Sequence, residues 1–136
     1  MRADEPEPPE NATVVEVVDG DTIVVTVAGR RDRVRILGID TPEAGKCLAR
    51  ESTRETRRLA LSRTVELHHD ESQRRRDRFG RRLAYVRLPD GRDLGFQLVA
   101  RGLARAFVVN EPFERLETYR RAEILGRRQR LSVWRC

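Results

Sequence analysis

Short runs of apolar and β-branched residues, separated by turn residues, make up the first part of this chain. Thr13 to Val18 and Thr22 to Val27 are such runs, and the Asp19-Gly20-Asp21 segment between them is typical of a β-hairpin turn. Ala28 to Asp32 predicts the next turn, and Arg33 to Ile39 predicts a third strand. The three runs together predict a meander whose two ends carry acidic residues.

The pattern becomes helical from Leu48 to Leu61, where small and apolar residues share one face among many charges. Val65 to His68 and Leu83 to Leu88 predict two further strands, and Asp93 to Leu103 and Glu114 to Arg130 predict two further helices. Five strands, with one helix between the third and the fourth, predict an α+β fold: an OB-fold five-stranded β-barrel with three α-helices.

Composition divides the chain into a tail and one domain. Residues 1–12 are acidic and rich in proline, which predicts a flexible tail. Residues 13–136 form a single predicted domain, because the whole chain of 136 residues suffices for one core. Four residues of the last helical segment are expected to face that core: Leu116, Tyr119, Ile124 and Leu131.

The chain is strongly basic, with 28 Lys and Arg residues against 22 Asp and Glu residues and a formal net charge of +6. Such a surface favours polyanions, with nucleic acid ahead of an anionic membrane. The alternative is a compositional preference for arginine, since Lys46 is the only lysine. No run of about 18 apolar residues is present, so we expect a soluble chain without a membrane partner.

Two acidic corners carry the candidate chemistry. Pro42 ends the third run and holds the residue before it extended, so that Asp40 and Glu43 project from a stiff turn. The other corner is the hairpin turn that contains Asp21. Strict alternation would place Arg35 and Asp40 on opposite faces of a flat strand, so their convergence needs a bulge, a strong twist or a strand end, for which Gly38 is a suitable place. Two acids and an arginine suggest a metal ion acting on an anionic ester.

Three motifs in order resemble the staphylococcal nuclease (thermonuclease) family. They are Val18-Asp19-Gly20-Asp21-Thr22, the segment from Arg35 to Asp40-Thr41-Pro42-Glu43, and Asp77-Arg78-Phe79-Gly80-Arg81-Arg82-Leu83-Ala84-Tyr85; the ending Leu131-Ser132-Val133-Trp134 is similar as well. The resemblance covers residues 13–136. It implies an OB barrel with three helices and a Ca²⁺-dependent phosphodiesterase that hydrolyses DNA and RNA, with single strands preferred.

The resemblance also implies the metal ligands. Asp21, Asp40 and the backbone carbonyl of Thr41 are expected to bind Ca²⁺, which prefers hard oxygen ligands and keeps room for waters and a phosphate oxygen. Asp19 is expected either to bind a metal-coordinated water or to be an ordinary turn residue.

Three residues match the catalytic positions of the family. Glu43 matches the glutamate that activates or orders the attacking water. Arg35 and Arg81 match the two phosphate-binding arginines, and the planar guanidinium suits two phosphate oxygens at once.

The expected nucleic-acid contacts come from Arg78, Phe79, Tyr85 and Phe107. This group departs from the family, since Phe79 and Phe107 stand where tyrosines are usual, Val109 replaces a third tyrosine and Arg78 replaces a lysine. Phenyl rings still stack on bases, at about 1–3 kcal/mol each, but the hydroxyl bonds are lost. The alternative for Phe107 is a plain core residue.

Cys47 and Cys136 are the only cysteines. A disulfide between them would tie Cys136 to the loop after the acidic corner, and it would favour a secreted or periplasmic, that is extracytoplasmic, protein. The alternative is two unrelated thiols.

The sequence therefore predicts a monomeric nuclease. The main alternative is a non-catalytic nucleic-acid-binding module with the same barrel, and retention of Asp21, Asp40, Glu43, Arg35 and Arg81 argues against it. A purely structural domain would leave these acids and arginines unexplained.

Overall fold

Five strands close into a barrel in the computed structural model, which describes residues 7–136. Around the barrel they follow the order β1 (Glu10–Asp19), β2 (Thr22–Val27), β3 (Arg30–Ile36), β6 (Arg82–Arg87) and β5 (Thr64–His68). All neighbouring pairs are antiparallel except β3 and β6, and β1 closes the barrel by pairing with both β2 and β5. The predicted five-stranded α+β barrel is confirmed.

The remaining elements are not strands of the closed barrel. They are β4 (Ile39–Asp40), α1 (Ala49–Ala60), α2 (Leu94–Ala100), β7 (Arg105–Ala106), α3 (Leu116–Arg127) and a 3-10 turn (Val133–Arg135). β4 and β7 pair with each other as a short ribbon outside the barrel. Within residues 7–136, every helix is too short or too polar to span a lipid bilayer.

Burial follows the sequence pattern closely. The barrel interior is filled by β-branched and aliphatic side chains such as Val14, Ile23, Val34 and Val86, all fully buried. Helix α1 buries Ala49, Ser52, Thr56, Leu59 and Ala60. This spacing of three and four residues marks one face of a helix, and it leaves the many charges of α1 in solvent.

The first strand is longer than the sequence pattern predicted. It begins at Glu10, and residues 10–13 pair with residues 64–67 of β5. Ala12 is buried in the core, which places residues 10–12 in the barrel and corrects the predicted tail boundary. The first six residues of that predicted tail lie outside the described part of the chain.

Helix α3 also differs from its prediction. Its buried stripe is Tyr119, Ala122, Glu123 and Gly126. Ile124 and Leu131 were predicted to face the core, but they are exposed, because Ile124 lies on the opposite face and Leu131 follows the helix end. Close packing explains the choice of face: a Cβ on Gly126 would lie 2.3 Å from the Val99 carbonyl oxygen of α2.

A turn at Gly38 allows Arg35 and Asp40 to reach the same site, although they would lie on opposite faces of a flat strand. β3 ends at Ile36, and Gly38 adopts a φ of +85° before β4 begins. A Cβ at this position would lie 2.6 Å from the ring of Phe113. The chain therefore changes direction at the one residue that tolerates both the dihedral angle and the close approach.

We expect Gly38→Ala to lower the free energy of unfolding by about 3 kcal/mol, because it combines a strained φ with overpacking against Phe113. Gly29→Ala is the matched control, since Gly29 has a φ of +79° but no atom within 4 Å of the added Cβ. It should lose only about 1 kcal/mol. Chemical denaturation of both variants measures the difference, and equal losses would contradict a packing role for Gly38.

Candidate active site

The guanidinium of Arg35 joins the two acidic corners. Its Nη2 lies 3.4 Å from the Asp21 carboxylate and 3.7 Å from the Asp40 carboxylate, while its Nη1 donates to the Ile36 carbonyl at 2.7 Å. The Arg35 side chain is only 14% exposed. The structure thus brings together three residues that the sequence placed in one site.

The β1–β2 turn holds Asp21 rigidly. One carboxylate oxygen accepts a hydrogen bond from the backbone N–H of Thr41 at 3.1 Å, and the other accepts from the Thr22 hydroxyl at 3.1 Å. The Asp21 N–H donates in turn to the Asp19 carboxylate at 3.1 Å. Gly20 packs directly on Thr41, where a Cβ would lie 2.8 Å from the threonine methyl group. The two corners are therefore in contact through backbone as well as through Arg35.

Burial and neighbouring charges shift the pKa values of the acids in this cluster. Burial, followed by a hydrogen bond to Asp21 and its charge, raises the pKa of Asp19 to about 6. Burial and the charges of Asp21 and Glu43 also raise the pKa of Asp40, against the influence of Arg35. Burial alone would raise the pKa of Asp21, but Arg35 and the Thr41 N–H hold it below its usual range. The single positive charge of Arg35 does not offset the negative charge of all three carboxylates when they are ionised.

The oxygen atoms at this position fit a hard divalent cation. Carboxylate and carbonyl oxygens are the ligands that such ions prefer. Asp40 is half exposed, and no donor within residues 7–136 bonds the carbonyl oxygen of the buried Thr41, so the lone pairs of that oxygen have no protein partner there. The set is sparse: the described residues contain no group of three or more His, Cys, Asp or Glu side chains arranged for a metal. Solvent or substrate oxygens would have to complete the coordination.

Arg81 reaches the same cluster from the β5–β6 loop. Its Nε donates to Asp77 at 2.7 Å, and its Nη1 lies 3.4 Å from the Thr22 hydroxyl that bonds Asp21. The neighbouring Arg82 points elsewhere and pairs with Glu10 and Asp32. The structure therefore places Arg81, rather than Arg82, beside the acids.

Thr22 and Asp77 are site residues to which sequence reasoning gave no role. Thr22 is buried and links Asp21 with Arg81 through one hydroxyl. Asp77 accepts bonds from the N–H groups of Phe79 and Arg81 as well as from the Arg81 side chain. Both residues lie inside the sequence motifs, and this position was the available signal for a role in the site. Their hydrogen-bond partners are distant in sequence or lie across a turn, so the sequence pattern did not predict these contacts.

Glu43 lies in the loop that follows β4. It is exposed, and its carbonyl accepts the N–H of Lys46 in a tight turn. Its carboxylate is close enough to Asp40 to raise the pKa of that group. Glu43 therefore stands at the solvent side of the acidic cluster.

A cleft of about 540 Å³ adjoins Arg35 and Arg81. Phe79, Phe107 and Arg78 line it, together with Val109. Phe79 is 69% exposed and carries the guanidinium of Arg78 at 4.8 Å from its ring centre. Phe107 is 44% exposed, so the interpretation of Phe107 as a plain core residue is wrong.

Tyr85 does not belong to this cleft, which corrects its predicted contact with nucleic acid. It is 2% exposed, and its hydroxyl donates to the buried Asp70 carboxylate at 2.5 Å. Burial and this bond raise the pKa of Tyr85 above its usual range. The ring of Tyr85 lies instead in the core, edge-on to the ring of Tyr119.

A disulfide joins Cys47 to Cys136, with a Cα separation of 5.9 Å. Cys47 lies in the same loop as Glu43, between β4 and α1. The segment that contains Cys136 is itself anchored, because the Val133 N–H donates to the Gly102 carbonyl at 2.8 Å. The disulfide thus fastens the loop of Glu43 to the helical side of the molecule.

Comparison with known proteins gives consistent matches. Residues 33–136 match the family described as Staphylococcal nuclease homologue. The chain is 36% identical over 131 residues to Endonuclease YncB of Bacillus subtilis (strain 168), covering 91% of this chain and 61% of that protein. It is 32% identical over 128 residues to a Thermonuclease of Staphylococcus hyicus, covering 89% of this chain and 73% of that protein.

The SPbeta prophage-derived endonuclease YokF of Bacillus subtilis (strain 168) is 37% identical over 131 residues, which cover 91% of this chain and 44% of that protein. The chain therefore spans about half of the two Bacillus relatives and about three quarters of the Staphylococcus one.

Asp70 provides a test of the corrected role of Tyr85. It accepts four bonds, from the N–H and hydroxyl of Ser72, the Tyr85 hydroxyl and the Glu114 N–H. Burial alone would raise the pKa of Asp70, but these bonds hold it below the usual range of an aspartate. The ionised group therefore stabilises the fold above about pH 4, the usual pKa of an aspartate in an unfolded chain, and this contribution is lost as the pH falls through the lower pKa of the folded protein.

We expect Asp70→Asn to lower the free energy of unfolding by about 2–3 kcal/mol near pH 7, because an amide cannot accept all four donors. Its stability should also fall less steeply than that of the wild type between about pH 5 and pH 2. Denaturation across this range measures both effects. Asp90→Asn, on an exposed turn, should change little, and a loss as large as that of Asp70→Asn would contradict the interpretation.

Proposed function

Because this chain belongs to the staphylococcal nuclease homologue family, we propose that it is a nuclease that hydrolyses phosphodiester bonds of DNA and RNA and requires Ca²⁺. The observation that supports this most strongly is the convergence of Arg35 and Arg81 on the acids at Asp21 and Asp40. Anion-binding and cation-binding groups are thus adjacent, as hydrolysis of an anionic ester requires.

The two arginines neutralise charge on the phosphate. Attack at phosphorus spreads negative charge over the equatorial oxygens, so catalysis depends on positioned positive groups. Arg81 is held in place by Asp77, and its Nη1 remains beside Thr22 at the edge of the cleft. Arg35 is nearly buried, which strengthens its interaction with a bound oxyanion.

Asp21, Asp40 and the Thr41 carbonyl would hold the cation. Bound there, Ca²⁺ supplies charge neutralisation for the phosphate and a site for water. Asp19 keeps Asp21 oriented through the Asp21 N–H, and it is also suited to accept a hydrogen bond from a metal-bound water. The raised pKa values of Asp19 and Asp40, caused first by burial and then by Asp21, agree with this assignment, because a nearby cation favours the ionised form of a carboxyl group.

Glu43 orders the attacking water and accepts its proton. Its exposed position next to Asp40 leaves room for a water molecule between the carboxylate and a bound phosphate. The turn at Pro42 and the disulfide at Cys47 limit the movement of its loop.

The substrate is a single strand of DNA or RNA, bound by a monomer. Exposed Phe79 and Phe107 offer ring faces for unpaired bases, and Arg78 offers a charge for the backbone. A closed barrel has no free strand edge for pairing with another copy, which supports the monomer.

We place the protein outside the cytoplasm, secreted or periplasmic. The support is the disulfide between Cys47 and Cys136, since such bonds persist in oxidising compartments. The alternative function, a binding module without catalysis, would make use of the cleft and the arginines but gives no reason for the repelling acids.

We expect Glu43→Gln to keep the fold and the affinity for single-stranded DNA but to lower kcat by about 10²–10⁴-fold, because it removes the proton acceptor while conserving shape. Turnover of denatured DNA and binding in the presence of chelator give the two measurements. Glu117→Gln is the control, since Glu117 is an exposed glutamate of α3 paired only with Arg121.

Unchanged turnover in Glu43→Gln would remove Glu43 from the mechanism. A parallel loss in Glu117→Gln would show that the effect comes from net charge rather than from the position of Glu43.

A further inference from the structure

The β4–β7 ribbon leads from the cleft past the acids to a second basic group. The Phe107 N–H donates to the Gly38 carbonyl at the cleft end, and Asp40 pairs in register with Arg105 at the other end. Arg105 lies two residues from Phe107, about 7 Å along an extended chain. Asp40 and Arg105 are thus side by side at the end of the ribbon away from Phe107 and the cleft.

Two arginine side chains lie over the ring of Trp134, near the Arg105 end of the ribbon. The guanidinium carbons of Arg105 and Arg127 lie 4.4 Å and 4.3 Å from its ring centre. Arg105 comes from β7 and Arg127 from the last turn of α3, so two separate elements place their cations at one point. The Arg105 Nη2 also donates to the Val133 carbonyl at 3.1 Å, which fixes its position.

Neither of these two arginines forms a close ion pair within residues 7–136. Elsewhere on α3, Arg120 pairs with Glu123 and Arg121 pairs with Glu117. Within residues 7–136, no carboxylate forms a salt bridge with Arg105 or Arg127 at 4.0 Å or less, and both side chains belong to exposed residues. The guanidinium groups are therefore accessible to a ligand, and the charge of Arg105 also acts on Asp40, its partner in the ribbon, where it opposes the raised pKa of that group.

Two more cations extend this basic group. The disulfide brings Lys46, the residue before Cys47, next to the segment that ends in Arg135 and Cys136. Arg135 itself donates to the carbonyls of Gln129 and Arg127 at the end of α3. Both residues are exposed. The positive surface thus continues from Arg105 around Trp134 to the loop that carries Glu43.

We propose that Arg105 and Arg127, positioned by Trp134, bind backbone phosphates of the nucleic-acid strand beyond the scissile phosphate, on the side away from the Phe79–Phe107 cleft. This inference rests on the proposed function, since it extends the substrate site of that function. The ligand class is a single-stranded polynucleotide of several residues, which spans the cleft, the acids and the basic group around Trp134. A dinucleotide is too short to reach both ends.

The competing explanation is structural. A guanidinium over an indole ring contributes about 0.5–1 kcal/mol at an exposed site, so both arginines could serve only to hold Trp134 in place. That role would change stability but not the dependence of DNA binding on salt or on strand length. The two explanations therefore separate in a binding experiment.

The experiment compares the wild type with the double variant Arg105→Gln/Arg127→Gln. Binding is measured in chelator, so that no cleavage occurs, with an oligothymidylate of about twelve nucleotides and with a thymidine dinucleotide. We expect about tenfold to hundredfold weaker binding of the longer strand and unchanged binding of the dinucleotide. The slope of log K against log salt concentration should fall in magnitude by about 0.7 for each lost phosphate contact.

The double variant Arg57→Gln/Arg63→Gln is the matched control. Arg57 and Arg63 are exposed and lie towards the opposite end of α1 from Cys47. It removes the same charge and should leave the salt slope close to that of the wild type. A second variant, Arg105→Lys/Arg127→Lys, keeps the charges and should retain most of the affinity for the longer strand, even if the glutamine variant is too unstable to measure.

The inference would be overturned if the glutamine variant bound DNA with the affinity and salt slope of the wild type and differed only in a lower melting temperature. It would also be overturned if the variant bound both ligands equally more weakly, or if the Arg57/Arg63 control lost as much affinity. If the glutamine variant cannot be measured, a lysine variant that has lost affinity for the longer strand would overturn it as well. The proposed function fails separately, if wild-type protein with calcium does not cleave DNA, because the binding assay does not depend on turnover.

Discussion

The interaction of one guanidinium with two carboxylates organises this molecule. Arg35 lies 3.4 Å from Asp21 and 3.7 Å from Asp40, and these acids come from the β1–β2 turn and from the ribbon strand that follows β3. A carboxylate as buried as Asp21 remains an anion only beside a positive partner. The sharp turn at Gly38, which fits under Phe113, brings Asp40 to that partner. Barrel and site therefore depend on the same few residues.

Charge is distributed along this site in a definite order. The aromatic cleft with Phe79 and Phe107 lies at one end of the β4–β7 ribbon, and Asp40 and Arg105 pair at the other end. A polyanion bound along the ribbon would meet Arg78 in the cleft and Arg105 beside Asp40. The acids weaken its binding, and a cation bound between them would reduce that repulsion. This order explains why binding residues and repelling residues occur side by side in one small domain.

Local sequence pattern was sufficient for the barrel strands and for the two acidic corners, because β-branched runs, the Asp19-Gly20-Asp21 turn and Pro42 act over a few residues. Long-range packing decided what the pattern could not. Tyr85 was assigned to the substrate because it belongs to the motif that resembles the family, but its hydroxyl bonds the buried Asp70, a partner that the local pattern could not predict. The contact of Arg105 with Trp134 joins elements far apart in sequence, so no local signal predicted it.

Cleavage of heat-denatured DNA by the purified chain, with millimolar calcium or with excess chelator, tests the central claim most directly. We expect the wild type to fragment DNA with calcium but not with chelator. Asp21→Asn should lose fragmentation with calcium, while both proteins should still bind DNA in chelator. Tight binding by the wild type without cleavage in either condition would contradict the claim, and it would identify the barrel as a module that binds nucleic acid without hydrolysing it.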